Sequence, residues 1–280
     1  MSELVLVGAA IGALAATATL GYGIRECTLA VRLYRNEPDS VLTASEGGAV
    51  ELSGSVSPAE DVLESPFTET DCVALEYVVE ERRRKRSSNS GSRTKWVDID
   101  SQSGGVPFYL EDDSGSVLVD PTGADFRLSD DARIRVDGGE EPPAPIAEFI
   151  AADEDISDEN TGFALGPVEL STGRDRRYIE RRLDVGGTAH LLGTARYDTT
   201  ISKEAGQVNA IVESAAPTDA GLVTRLRHRL TGPRFLLFDV PEGQAARRVA
   251  YRGIFWILVA ILIGVLVALF GGPAVETTLA

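Results

Sequence analysis

The chain has 280 residues, enough for one good-sized domain once two membrane spans and their flanks are set aside, and at 43% hydrophobic it is not disordered throughout. Asp and Glu number 43 against 27 Lys and Arg, a net charge of −16, which excludes a general nucleic-acid binder because such a protein needs a net basic surface. Two cysteines, Cys27 and Cys72, and two histidines, His190 and His228, show no Cys-x-x-Cys or His-x-x-x-His spacing and define neither a disulfide framework nor a zinc site.

The shortage of lysine is informative. Only Lys85, Lys95 and Lys203 are lysines; the remaining basic residues are arginines. An acidic, Lys-poor surface is the expected adaptation to molar salt, where self-repulsion is screened and hydrated carboxylates keep the protein soluble. That composition points to an extreme halophile, an archaeon.

Residues 4–24 carry no charge and are long enough to cross a hydrocarbon core of about 30 Å as a helix. No Lys or Arg precedes them, only Glu3, so they read as an uncleaved anchor and not as a signal peptide. Gly8-x-x-x-Gly12 in this segment offers a close-packing face, either for the other span or for a homo-oligomer through the first span.

Strand-like runs follow. Val73, Leu75, Tyr77 and Val79 alternate with Ala74, Glu76, Val78 and Glu80, the pattern of a strand with one buried face. Residues 95–100 form a second strand, with Val97 and Ile99 against Trp96, Asp98 and Asp100. Between them lies a Ser/Gly-rich loop bearing Arg82, Arg83, Arg84, Lys85 and Arg86, read as the mobile tip of a long hairpin and as a candidate anion-binding finger, with Arg93 and Lys95 nearby. Further strands are expected at residues 107–110 and 116–120, joined by the turn Asp112-Asp113-Ser114-Gly115, and at 133–136, 177–183, 188–194 and 208–212. The Pro-rich break at 141–145 leads into a short helix with Ile146, Phe149 and Ile150 on one face. The acidic stretch 137–160 lacks EF-hand spacing and reads as solvated surface.

Near the C-terminal span the charge changes sign. Leu222, Leu226 and Leu230 fall on one helical face among Arg225, Arg227 and Arg229; this helix either lies on anionic headgroups or docks its leucines on the domain. With Arg247, Arg248 and Arg252 these arginines form a candidate membrane-surface set. A strand at 235–238 ends at Asp239, an expected helix N-cap with Glu242 three residues on. A helix then runs into the second span, residues 253–275. Arg25, Arg32, Arg35, Arg247, Arg248 and Arg252 flank the spans on the domain side, while residues 1–3 and 271–280 have no Lys or Arg. By the positive-inside rule the domain is cytoplasmic and both termini are outside.

No Gly-x-Ser-x-Gly elbow, Walker loop, His-Glu-x-x-His or dinucleotide fingerprint occurs. His190, in the run TAHLLGTA, reads as structural. No cofactor, metal or catalytic residue is expected.

Several local patterns then converge in order: Leu63-Glu64-Ser65-Pro66, Cys72-Val73, a basic stretch, Trp96, Pro107-Phe108-Tyr109-Leu110, Asp113, Gly115, Val117, Val119, Asp120-Pro121, Gly123-Ala124, Tyr178-Ile179-Glu180-x-x-Leu183, Gly186 and Gly193. Over residues 49–240 this order resembles the GIDE domain, also called BAM for "beside a membrane", of membrane-anchored RING-type E3 ubiquitin ligases of mitochondria and chloroplasts. In those ligases the resemblance implies a domain facing away from the cytosol and catalysis by a C-terminal RING. A RING takes eight Cys/His ligands, and this chain has four such residues, so what the resemblance carries over is a binding domain with an unknown protein partner beside the lipid bilayer. The expected fold is mainly β (α+β): a β-rich, barrel-like GIDE domain with short helices, flanked by two transmembrane helices. Its expected divisions are an anchor and flank at 1–35, the soluble domain at 36–240, the juxtamembrane and second transmembrane helix at 241–271, and a tail at 272–280.

Overall fold

The computed structural model describes residues 2–87, 91–152, 163–165, 168–170, 173–202, 204–215 and 234–279. The chain divides into two compact units, one formed by Met1–Pro38 with Pro241–Ala280, the other by Asp39–Val240.

The first unit is a pair of long helices. The N-terminal one, α1 (Ser2–Arg35), and the C-terminal one, here α3 (Glu242–Leu279), each contain a stretch long and apolar enough to cross a membrane, with mean hydropathy 1.5 for Val7–Arg35 and 2.6 for Gly243–Leu269. Their outer faces expose Ile11, Leu14, Leu258, Leu262 and Leu269, which is unfavourable in water and suited to lipid. The facing sides run antiparallel and meet at glycines. A Cβ on Gly12 would lie 2.5 Å from Val267, one on Gly23 2.9 Å from the Gly253 carbonyl, and one on Gly253 2.7 Å from the Cys27 sulfur. Gly12 thus packs against the other span, while among the described residues a Cβ on Gly8 would meet nothing within 4 Å. Near this crossing Tyr22 and Trp256 stack edge-on, 5.9 Å between centroids.

The second unit is built of strands. They are β1 (Gly48–Pro58), β2 (Leu63–Glu64), β3 (Asp71–Ser87), β4 (Gly91–Gly105), β5 (Phe108–Asp112), β6 (Gly115–Val119), β7 (Asp125–Phe126), β8 (Ala132–Val136), β9 (Phe163–Leu165), β10 (Val168–Leu170), β11 (Arg176–Asp184), β12 (Thr188–Tyr197), β13 (Gln207–Glu213) and β14 (Leu236–Phe238). One short helix, α2 (Ala144–Ala152), follows β8.

Five of these strands close into a barrel in the order β1-β5-β6-β13-β12, with β12 pairing back on β1 from Gly48↔Ala195 to Ser55↔Thr188. The closure follows from alternation: Val50, Leu52 and Val56 of β1 point inward with Phe108, Leu110, Val117, Val119, Leu191 and Val212, while Glu51, Ser53, Ser55 and Ser57 take the other face. A 3-10 turn, Val41–Glu46, adds Val41 and Ala44 to the same core. It is tied to the β5–β6 hairpin through Asp112, whose carboxylate accepts from the backbone N–H groups of Val41 (2.9 Å), Ser114 (2.7 Å) and Gly115 (3.2 Å). These bonds hold the Asp112 carboxyl below the usual range although burial alone would raise it.

The second sheet runs β2-β3-β11-β8, with β4 also paired to β3. Tyr77, Val79, Tyr178 and Val136 line its inner face, and α2 covers them with Ile146 and Ile150, as the helical spacing requires. Phe67 packs edge-on against Tyr77, Tyr178 and Phe149 at 5.1–5.5 Å. Beside it Glu180, fully buried, accepts hydrogen bonds from the Phe67 N–H (3.0 Å), the Thr68 hydroxyl (2.7 Å) and Arg182. Arg182 also reaches Asp184 at 2.8 Å. Burial opposes its charge, but the bonds to Asp184 and Glu180 outweigh that and raise its pKa.

Two local expectations are corrected. The C-terminal helix begins at Glu242, so the residue before it is Pro241, whose carbonyl accepts from the Gln244 and Ala245 N–H groups, and not Asp239, whose carboxylate accepts from the Ser129 N–H at 2.9 Å. The basic stretch Arg82–Arg86 is not a loop but strand, because β3 and β4 stay in register well past the sheet.

Candidate functional site

β11 supports β3 as far as Arg176↔Glu81, with a last hydrogen bond from the Arg82 N–H to the Asp175 carbonyl at 2.9 Å. Beyond that point β3 and β4 pair with each other alone among the described residues, out to Ser87↔Gly91. The result is a two-stranded arm, its five pairs from Arg83↔Lys95 to Ser87↔Gly91 reaching about 17 Å at 3.3–3.4 Å per residue. The arm's sequence from Arg82 to Trp96 holds seven cations and no acid, within a chain of net charge −16.

The register places like charges opposite one another. Arg83 faces Lys95 and Lys85 faces Arg93, directly across the ladder. Such pairs are destabilising, so stability alone does not account for the composition.

The root of the arm is held by carboxylates. Arg82 pairs with Asp175 at 2.8 Å, and Arg135 of β8 bonds the same carboxylate at 2.9 Å and Asp137 at 2.8 Å. Trp96, half-buried on β4, lies under the Arg177 guanidinium at 4.5 Å and the Arg135 guanidinium at 5.9 Å, while Arg177 also bonds Glu80. On the opposite face Glu81 is buried and receives Arg83 (2.8 Å) and Arg174 (2.6 Å), with Arg176 at 3.8 Å. Burial works against the Glu81 charge, yet the bonds from Arg83 and Arg174 hold its carboxyl below the usual range.

Of the expected finger residues, Arg82, Arg83 and Arg84 thus sit together on β3 at the arm's base, with exposed side chains, and Lys85 and Arg86 continue the same strand. Trp96 and the Asp175–Arg135 link were not read from the sequence as parts of this site; an aromatic paired opposite Arg82 was the available signal. In the membrane-surface set, Arg225, Arg227 and Arg229 fall outside the described residues. Arg247 and Arg252 are exposed and Arg248 half-buried on α3. His190 is fully buried in β12, its Nε2 3.5 Å from Glu51 Oε1. Cys72 is buried in β3, where burial first and Asp184 second push its thiol up to about 11.

A β-rich, barrel-containing domain on a chain with two membrane-length apolar helices is the class that this fold defines. Residues 76–208, from within β3 to the start of β13, match the GIDE family model, described as "E3 Ubiquitin ligase". That stretch is similar to the GIDE family; the match leaves out the Leu63–Pro66 and Cys72-Val73 patterns, which lie N-terminal to it. Searches of the curated proteins and of the solved structures found no match.

Proposed function

We propose that the chain is a membrane-tethered, non-catalytic binding or scaffold protein whose GIDE domain lies on the cytoplasmic side, with both termini outside. The observation that carries this reading is the GIDE match in a chain that also has two membrane-length helices. The arginines flanking both spans on the domain side support the orientation. The four Cys and His residues of the chain, fewer than the eight a RING takes, support a non-catalytic role. A second reading, in keeping with the family description, is a ligase-like protein whose catalytic zinc module comes from a partner.

The test has two arms. The detergent-purified chain, supplied with a ubiquitin-like modifier and its activating and conjugating enzymes, is expected to produce no conjugates; conjugates formed by the chain alone sink the non-catalytic reading. For topology, an exposed thiol is introduced by Thr122→Cys in a Cys27→Ser background. Cys72 stays silent in this experiment because it is buried and its thiol is deprotonated only near pH 11. A membrane-impermeant maleimide is expected to label the protein only after the cells are permeabilised, and labelling of intact cells reverses the orientation.

A further inference from the structure

The barrel carries a groove that complements the arm. About 920 Å³ in volume, it lies over the outer face of the β5–β6 hairpin, between the loop after β1 and the loop joining β12 to β13. Tyr109 and Leu118, both half-buried, form an apolar floor, and Pro58 and Ile201 flank it. Carboxylates surround this floor: Glu60 and Asp61 on one wall, Glu111 and Asp112 on the hairpin, and Glu204 on the other wall. Its described lining contains no Lys or Arg, although Lys203 of the same loop is outside the described residues.

We infer that the cationic arm of one copy docks in this acidic groove of a second copy. Each chain offers one arm and one groove, so the contact is head-to-tail, and it propagates as a ring or a row of domains. Three observations support a second copy as the occupant. The arm extends beyond its sheet, and its sequence from Arg82 to Trp96 carries seven cations and no acid, with like charges opposite one another in the register. The groove has an apolar floor at Tyr109 and Leu118 and a rim of the opposite sign. Tethering by two membrane-length helices confines copies to one surface, which raises their effective concentration. The inference goes beyond the binding-module reading, since an arm-in-groove contact is compatible with a catalytic or a non-catalytic chain.

The experiment uses full-length protein in its native membranes. One tagged copy carries Thr94→Cys on the arm, and a differently tagged copy carries Ala205→Cys in the groove, both positions being exposed and both chains being Cys27→Ser. A short bifunctional maleimide is expected to join the two tags. Pairing either thiol with Thr122→Cys, away from arm and groove, sets the background. Arm reversal (Lys85→Glu with Arg86→Glu) is expected to lower the arm–groove product about tenfold, as is groove reversal (Asp61→Arg with Glu204→Arg). Combining the arm-reversed copy with the groove-reversed copy restores it. An unchanged thermal transition in each variant shows that the fold is intact. The proposal is overturned if the product does not exceed background, if single reversals leave it unchanged, or if the crossed pair fails to recover. It is equally overturned if the arm reversal abolishes sedimentation with anionic phosphatidylglycerol vesicles while the crosslink persists, because the arm is then a lipid contact.

Discussion

Glu180 is the residue whose removal should damage the domain most for its size. It is fully buried beneath the aromatic cluster and accepts from a backbone N–H, a hydroxyl and a guanidinium. Glu180→Ala takes the buried carboxylate from Arg182, leaving it with Asp184 and the Thr68 hydroxyl, and leaves the Phe67 N–H without its acceptor in a poorly hydrated site. Breaking a buried pair in this way costs about 3–5 kcal/mol, more than the ~1 kcal/mol of an ordinary hydrogen bond. For a unit of this size each kcal/mol moves Tm by about 2–4 °C, so the transition should fall by roughly 6–20 °C. Differential scanning fluorimetry or near-UV circular dichroism of the full chain in detergent reads this directly, with Trp96 and the tyrosines as reporters. Coupling provides the sharper check. Once Arg182 is already Ala, the Glu180 carboxylate has lost its cation, and adding Glu180→Ala should cost about half as much or less. A Tm change under about 2 °C for Glu180→Ala, or strictly additive effects in the double variant, would refute the claim that this network holds the second sheet to its loop.

Two carboxylates should shift the pH dependence of stability in opposite directions. The Glu81 carboxyl is held low in the fold, so its contribution is present above the ordinary carboxylate range and is lost as pH falls through the lowered value; Glu81→Gln should melt lower at pH 7, and the difference should shrink under acid. Asp131 is pushed up by burial, with Asp184 and Asp239 adding to the effect against the Arg182 N–H bond, so it favours the fold only below the ordinary range and that contribution is lost as pH rises. Asp131→Asn keeps an acceptor for the Arg182 N–H, and its expected small rise in Tm at pH 7 should vanish by about pH 4; a lower Tm at pH 7 contradicts the assignment. If the acidic surface is an adaptation to molar salt, Tm should climb steadily from about 0.1 to 2 M KCl as the Debye length shortens from about 10 to below 3 Å, and a flat profile rules that origin out.

The parts of the fold legible in the sequence were those with strong alternation or uninterrupted apolarity. Both spans, the Val73–Val79 strand, the Asp112–Gly115 turn and the Ile146/Ile150 helix face all follow from side-chain period alone. β1 was missed although Val50, Leu52 and Val56 alternate correctly, because Gly48, Gly54, Pro58 and three serines dilute its β-propensity. Gly54 is required there, since a Cβ would fall 2.3 Å from the Glu111 carbonyl of the next strand. Gly193, within the expected strand at 188–194, sits inside β12, where a Cβ would lie 2.6 Å from Val212 and 3.1 Å from Phe235. The arm was mistaken for a loop because its composition is polar throughout. Its strand conformation comes from the ladder with β4, a long-range pairing that no local window contains.

Closing the barrel through β1 and β12 has a consequence for synthesis. Val50 finds its partner Gly193 only after about 140 more residues have been made, a delay of roughly 7–30 s at 5–20 residues per second. Until then β1 is an open strand with an apolar face, held next to a helix that is already long enough to enter a membrane. The second sheet can assemble from β2, β3, β4, β8 and β11 before β12 exists, whereas the barrel must wait for nearly the whole domain. Folding should therefore finish late and as one step, and ribosome-bound chains that end before Thr188 should keep β1 open to proteases.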